Sequence, residues 1–164
     1  MIDQPMTTRP SRFWHLFGFI ALSFVVSGLG GLLTATSIDS WYPALVKPSF
    51  NPPNWIFGPV WSILYLLMAV AAWRVWRVAG WRQGRISLLL YFGQLALNLL
   101  WSALFFGLRQ PLWALADCLL LLALIVITGM SFWRHDRLAG VLFVPYGVWV
   151  AFAALLNGAI VALN

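Results

Sequence analysis

Charge is scarce in this chain. Charged residues make up 9% of it, against about 25% in soluble domains, and with 62% hydrophobic residues that scarcity places the chain in lipid. Cysteine is nearly missing as well: Cys118 stands alone inside an apolar run, so it forms no internal disulfide and does not report a redox compartment. Core packing is its expected role, ahead of a reactive thiol. His15 and His135 lack metal-ligand spacing, and there is no nucleophile motif, glycine-rich phosphate loop or carboxylate pair. Those gaps set aside the corresponding enzyme chemistries and leave a histidine-held haem without an axial ligand. The formal net charge of +6 sits in short arginine tracts at the ends of apolar runs, not in a stripe along a polar helix. The chain is therefore not expected to bind nucleic acid.

What remains is an all-α membrane protein. The 164 residues accommodate one bundle of spans of about 20 apolar residues each, with almost nothing left for a soluble domain. A polar N-terminal tail (1–12) is expected to precede a single transmembrane domain (13–164). Its spans are expected at about 13–36, 55–77, 86–107, 111–133 and 138–163. The basic head and first apolar run resemble a signal peptide, but the run exceeds the usual core of about 7–15 residues. It is read as an uncleaved helix. Five spans gather Arg9, Arg12, Arg74, Arg77, Arg82, Arg85, Arg134 and Arg137 on one side and leave Lys47 and Arg109 on the other. The positive-inside bias then puts the N-terminus inside and the C-terminus outside.

The stretch WYPALVKPSFNPPNWIFGPVW, Trp41 to Trp61, organises the rest. Pro43, Pro48, Pro52 and Pro53 forbid a helix until after Pro53, so an aromatic loop is expected, with Asn51 or the proline pair at the start of the next helix. Trp41, Tyr42, Phe50 and Trp55 either cover a pocket as a lid or anchor the loop at the membrane interface.

Most of the eleven tryptophans fall near span ends, where they form belts. Trp61, Trp101 and Trp149 lie deeper. At helical spacing Trp61 is followed by Tyr65; Tyr91, Gln94, Asn98 and Trp101 share a face, as do Tyr146, Trp149, Ala153 and Asn157. Asn98 and Gln94 face inward, as interhelical glue or as ligand contacts. Ser23, Ser27 and Gly31 allow either close helix packing or a gap for a ligand. Asp117, the sole acid inside a span, is expected to make a structural bond near the outer boundary. The constellation suits a flat, apolar molecule with weakly polar edges.

WYPALVKPSFNPPNWIFGPVWSILY, GQLALN, FFGLRQ, ALADCLLL and VPYGVWVAF together resemble the translocator protein or tryptophan-rich sensory protein (TspO/MBR) family. The resemblance implies a five-helix bundle, usually a homodimer, that binds porphyrins such as protoporphyrin IX, and in many members sterols and drug-like ligands. It requires no cofactor. It places pocket positions on Trp41, Tyr42, Trp61, Asn98, Trp149 and Ala153, beneath a closing first loop; residue reading adds Tyr65, Trp101 and Tyr146. Some bacterial members are linked to light-dependent porphyrin breakdown, which would put Trp61 and Trp149 beside the reaction. Animal members carry a tyrosine and a basic residue near the end of the fifth helix, where this chain has Gly158 and Ala162. High-affinity sterol binding is therefore not expected. A bacterial cell membrane is the preferred location, with bacterial or mitochondrial outer membranes as alternatives.

Overall fold

A computed structural model describes residues 12–164; the expected tail lies outside the described residues except for Arg12, which opens the first helix. The helices are α1 (Arg12–Ala35), α2 (Phe57–Ser102), α3 (Pro111–His135), α4 (Arg137–Leu142) and α5 (Val144–Leu163), and there is no strand among the described residues. Four helical stretches are long and apolar enough to cross a membrane: Phe13–Ala35, Asn54–Gly107, Pro111–His135 and Arg137–Leu163.

The second stretch, 54 residues long, doubles back on itself. Tyr65 and Asn98 are 33 positions apart and hydrogen-bond to each other, whereas a straight helix would separate them by about 50 Å. The reversal sits at Gly80, with φ 62° and ψ −174°, a backbone region open essentially only to glycine. The sequence predicts a loop over 78–85 between two spans; instead helix runs up to Gly80 and resumes at once. Arginine and glutamine end an apolar span but are good helix formers, so the helix outlasts the hydrophobic stretch.

The two arms of α2 pack side by side, joined through Tyr65 to Asn98 and Met68 to Gln94. Ala69, Ala71, Ala72 and Val75 of the first arm are buried. Leu88, Tyr91 and Leu95 of the second arm, Leu121, Ile125 and Phe132 of α3, and Tyr146 and Val150 of α5 complete the main core. The Ser23 and Tyr91 hydroxyls, 2.7 Å apart, bond α1 to the second arm. Apart from that seam α1 lies at the edge, with Phe17, Leu22, Val25, Leu29 and Leu32 exposed, as suits a lipid-facing helix.

At the arginine-rich end, Arg74 grips Asp136 with two nitrogens, at 3.2 and 2.8 Å. Asp136 also caps α4 by accepting the Ala139 amide at 3.0 Å. The expected fifth span corresponds to Arg137–Leu163, with a one-residue break at Phe143 between α4, which ends at Leu142, and α5, which begins at Val144. Pro145 thereby falls in the first turn of α5, where its missing N–H has no intrahelical partner to lose. At the opposite end, a single π turn, Ala103–Gly107, closes the second arm, and the chain reverses through Arg109, a non-glycine residue at φ 56°.

Candidate ligand cavity

The loop between α1 and α2 is folded around one lysine. The Lys47 ammonium donates to the carbonyls of Tyr42 (2.9 Å), Pro43 (3.2 Å) and Leu45 (2.9 Å) and lies 5.0 Å from the centre of the Tyr42 ring. The ammonium's three protons match the three carbonyls, of which that of Tyr42 also accepts the Leu45 amide at 3.3 Å. Tyr42 is 4% exposed; its hydroxyl donates to Asn51 Oδ1 at 2.7 Å. Burial raises the Tyr42 phenol above its ordinary pKa, against the opposing effect of the Asn51 bond. Of the two starts expected for the next helix, Asn51 is not the cap, since its side chain is engaged by Tyr42; Pro53 instead precedes the Asn54–Ile56 turn that leads into Phe57. The Ser37 hydroxyl fastens the start of the loop to the Phe106 carbonyl at 2.7 Å.

Beneath the loop lies a cavity of about 390 Å³ between α1, both arms of α2 and α5. Phe57, Trp61, Trp101 and Phe105 form aromatic walls, Tyr42 meets it from the loop, and Tyr65 and Asn98 supply polar groups deeper in the bundle. Trp61 packs 5.8 Å from Tyr65 and 6.2 Å from Tyr146, centre to centre. Trp101 stacks on Phe105 at 5.4 Å.

A buried polar chain fixes the inner end. Tyr65 donates to Asn98 Oδ1, Asn98 Nδ2 donates to the Tyr146 hydroxyl at 3.0 Å, and that hydroxyl donates to Gln94 Oε1 at 2.8 Å. The amide of Gln94 ends the chain on Met68 Sδ at 3.6 Å. Asn98 therefore acts as glue between three helical segments while one side of it faces the cavity, so the two roles left open by its spacing coexist. A second link holds Trp101: its indole donates to Asn157 Oδ1 at 3.2 Å, and Asn157 Nδ2 donates to the Pro111 carbonyl at 2.8 Å.

Of the residues singled out from sequence, Tyr42, Trp61, Tyr65, Asn98, Trp101 and Ala153 line the cavity. Trp41, Tyr146 and Trp149 do not. Trp41 packs on Phe105 at 5.6 Å, Tyr146 is fully buried behind Asn98, and Trp149 sits against Phe57 (5.9 Å) and Phe152 (5.6 Å). Each supports a wall from behind. Trp55 is 74% exposed and Phe50 51%, so the loop covers the cavity chiefly with Tyr42.

Sequence reasoning passed over Phe57, Ser102, Phe105 and Phe106, all of which line the cavity. The π turn rotates the last two inward, and no local pattern announces it. Ser27 and Gly31 also line it; their four-residue spacing leaves close packing and a ligand gap both open. Asp117 departs from expectation: it is buried, and its Oδ2 has no hydrogen-bond partner among the described residues. Its buried neighbours on α3, Ala114, Cys118 and Leu121, offer it no strong donor. Among the described residues no group of three His, Cys, Asp or Glu side chains forms a metal site.

Comparison with known proteins matches residues 19–163 to the TspO/MBR family. The chain is 42% identical over 135 residues to the tryptophan-rich protein TspO of Archaeoglobus fulgidus, covering 82% of this chain and 87% of that one. It is 40% identical over 152 residues to the tryptophan-rich sensory protein of Cereibacter sphaeroides, covering 92% of both. With the translocator protein of Homo sapiens it shares 43% identity over 119 residues, 71% of this chain and 70% of the human one.

Proposed function

The chain belongs to the TspO/MBR family, and from that membership we propose that it is a five-span membrane protein that captures a protoporphyrin-type tetrapyrrole for transport, sensing or control of its level. The observation that carries this reading is the cavity itself, a chamber of about 390 Å³ walled by Phe57, Trp61, Trp101 and Phe105 with Asn98 and Tyr65 at its inner end. Indole and phenyl faces favour offset stacking on a flat π-system. The volume lies toward the lower end of small-molecule sites, about 300–1,000 Å³, so a tetrapyrrole would fill it and press on the loop.

Counting the two arms of α2 separately supports five spans, and the arginine bias then supports an inside N-terminus and an outside C-terminus. The family relation supports a homodimer. Crosslinking from single cysteines along α1, the second arm of α2 and α5, in a Cys118→Ser background, tests the assembly; failure at every second-arm position would refute that arm as the dimer face. A bacterial cell membrane is the location that the short loops favour.

A second reading is light- and oxygen-dependent breakdown of the bound porphyrin. It is favoured by Trp61, an oxidisable indole on the cavity wall close to Tyr65. Titration of purified protein with protoporphyrin IX in the dark, followed by illumination with and without oxygen, separates the readings. Saturable quenching of tryptophan fluorescence with no new absorbing product supports the carrier or sensor. A product that requires light, oxygen and protein supports the enzyme. No saturable quenching would overturn both.

A further inference from the structure

We propose that Ser102 is a specificity-determining residue of this cavity: with Asn98 it forms a donor pair that selects ligands carrying an acceptor oxygen, a carbonyl or carboxylate, on an otherwise flat apolar frame. The inference rests on the binding role proposed above and adds the chemical class that the site prefers.

Ser102 lines the cavity and is 8% exposed. Its hydroxyl makes no hydrogen bond with any other described residue. A serine inside a helix ordinarily turns its proton back to a carbonyl one turn earlier, as Ser62 does to Gly58 at 2.9 Å and Thr34 to Gly30 at 2.9 Å within this same cavity. Those two hydroxyls are left with lone pairs to offer. Ser102 keeps its proton. The hydroxyl opens onto the cavity with no protein acceptor among the described residues, so its proton is available to a ligand acceptor there.

Asn98 stands one helical turn away on the same face. It is 4% exposed and lines the cavity too. An amide nitrogen has two protons, and Asn98 Nδ2 gives one to Tyr146, leaving the second without a protein acceptor among the described residues. Its carbonyl is occupied by Tyr65, so Asn98 is held in place with a donor to spare. Opposite Ser102, α1 presents Gly30, where an added Cβ would lie 3.3 Å from Ser102 Oγ. The glycine lets α1 come close to the hydroxyl without crowding it, as any side chain there would.

The test uses full-length protein in detergent and two matched pairs of flat probes: protoporphyrin IX against etioporphyrin, whose side chains are alkyl only, and fluorenone against fluorene. Wild-type protein should favour the oxygen-bearing member of each pair. Ser102→Ala should reduce that preference by about threefold to tenfold, the effect of one net hydrogen bond, while etioporphyrin and fluorene affinities and the apo melting temperature stay unchanged. Gly30→Ala, which crowds the hydroxyl from the other side, should have the same effect. An unchanged preference in Ser102→Ala, or a drop in apo melting temperature that accounts for the loss, overturns the assignment. If neither porphyrin binds, the tetrapyrrole reading fails, and the fluorenone pair still decides the role of Ser102.

Discussion

Asn164 pairs with Val46 through both halves of its side-chain amide. Its Oδ1 accepts the Val46 N–H at 3.0 Å, and its Nδ2 donates to the Val46 carbonyl at 3.0 Å. The amide acts as a neighbouring strand would, joining the loop over the cavity to the end of α5 across 118 positions of sequence.

The first prediction concerns that latch. Asn164→Ala should raise amide hydrogen exchange across residues 41–55, most at Val46, and speed porphyrin release more than it slows binding, since affinity changes fall mainly on dissociation. The cost to global stability should stay within about 1 kcal/mol, because both bonds are exposed. In wild-type protein the same loop should exchange more slowly once porphyrin binds. Equal exchange with ligand demonstrably bound would leave the loop as an interfacial anchor.

Tyr146 and Trp149 share a helix face but should behave differently when replaced. Tyr146→Phe leaves Asn98 Nδ2 and Gln94 Oε1 unpaired in a buried place, at a cost of about 1–3 kcal/mol visible as a lower melting temperature. Trp149→Ala removes the support behind Phe57 and should weaken porphyrin binding without unfolding the bundle. Trp61→Ala, which strips an indole from the wall itself, should weaken it more. Equal affinity in Trp61→Ala and wild type would place the ligand elsewhere.

Two glycine substitutions should both destabilise, for unrelated reasons. Gly80 has nothing within 4 Å of an added Cβ, so Gly80→Ala pays only for its positive φ, about 1–3 kcal/mol. Gly140 is an ordinary helical glycine, where alanine would normally stabilise by up to about 1 kcal/mol. There, however, a Cβ would come within 2.8 Å of Trp133 Cβ and 3.0 Å of its Cα. Gly140→Ala should therefore lower the melting temperature, and a rise would show that α3 and α4 can separate freely.

Asp136 should impose an acid limit on stability. Partial burial works to raise its pKa, but hydrogen bonds from Arg74 and the Ala139 amide, with the Arg74 charge, outweigh that and hold it below the ordinary carboxylate value. A depressed folded pKa gives stability that is present above the unfolded value of about 3.9 and is lost as pH falls through the folded one. Asp136→Asn should thus cost about 1 kcal/mol near neutrality, as a partly exposed pair and cap would. The difference from wild type should shrink below about pH 4. Parallel melting curves that stay equally separated from pH 7 to pH 3 would refute this account.

The membrane class, the helical content, the arginine-rich end, the lack of an α-helix through the proline stretch and the importance of Trp61 and Trp101, which line the cavity, were all legible in the chain alone. Each depends on composition or on spacing within one segment, and those are local properties. Tertiary structure decided the rest. Gly80 became the reversal point because the two arms of α2 had somewhere to pack. Tyr146, which shares a face with Ala153, was drawn behind the cavity by Asn98 and Gln94, while Ser102, which no motif marked, was turned into it beside Gly30. Periodicity shows that residues share a helix face; which neighbour that face meets is set by the rotation and approach of other helices. Those come from packing across the whole bundle, where small residues on one segment decide what space is left for the side chains of another.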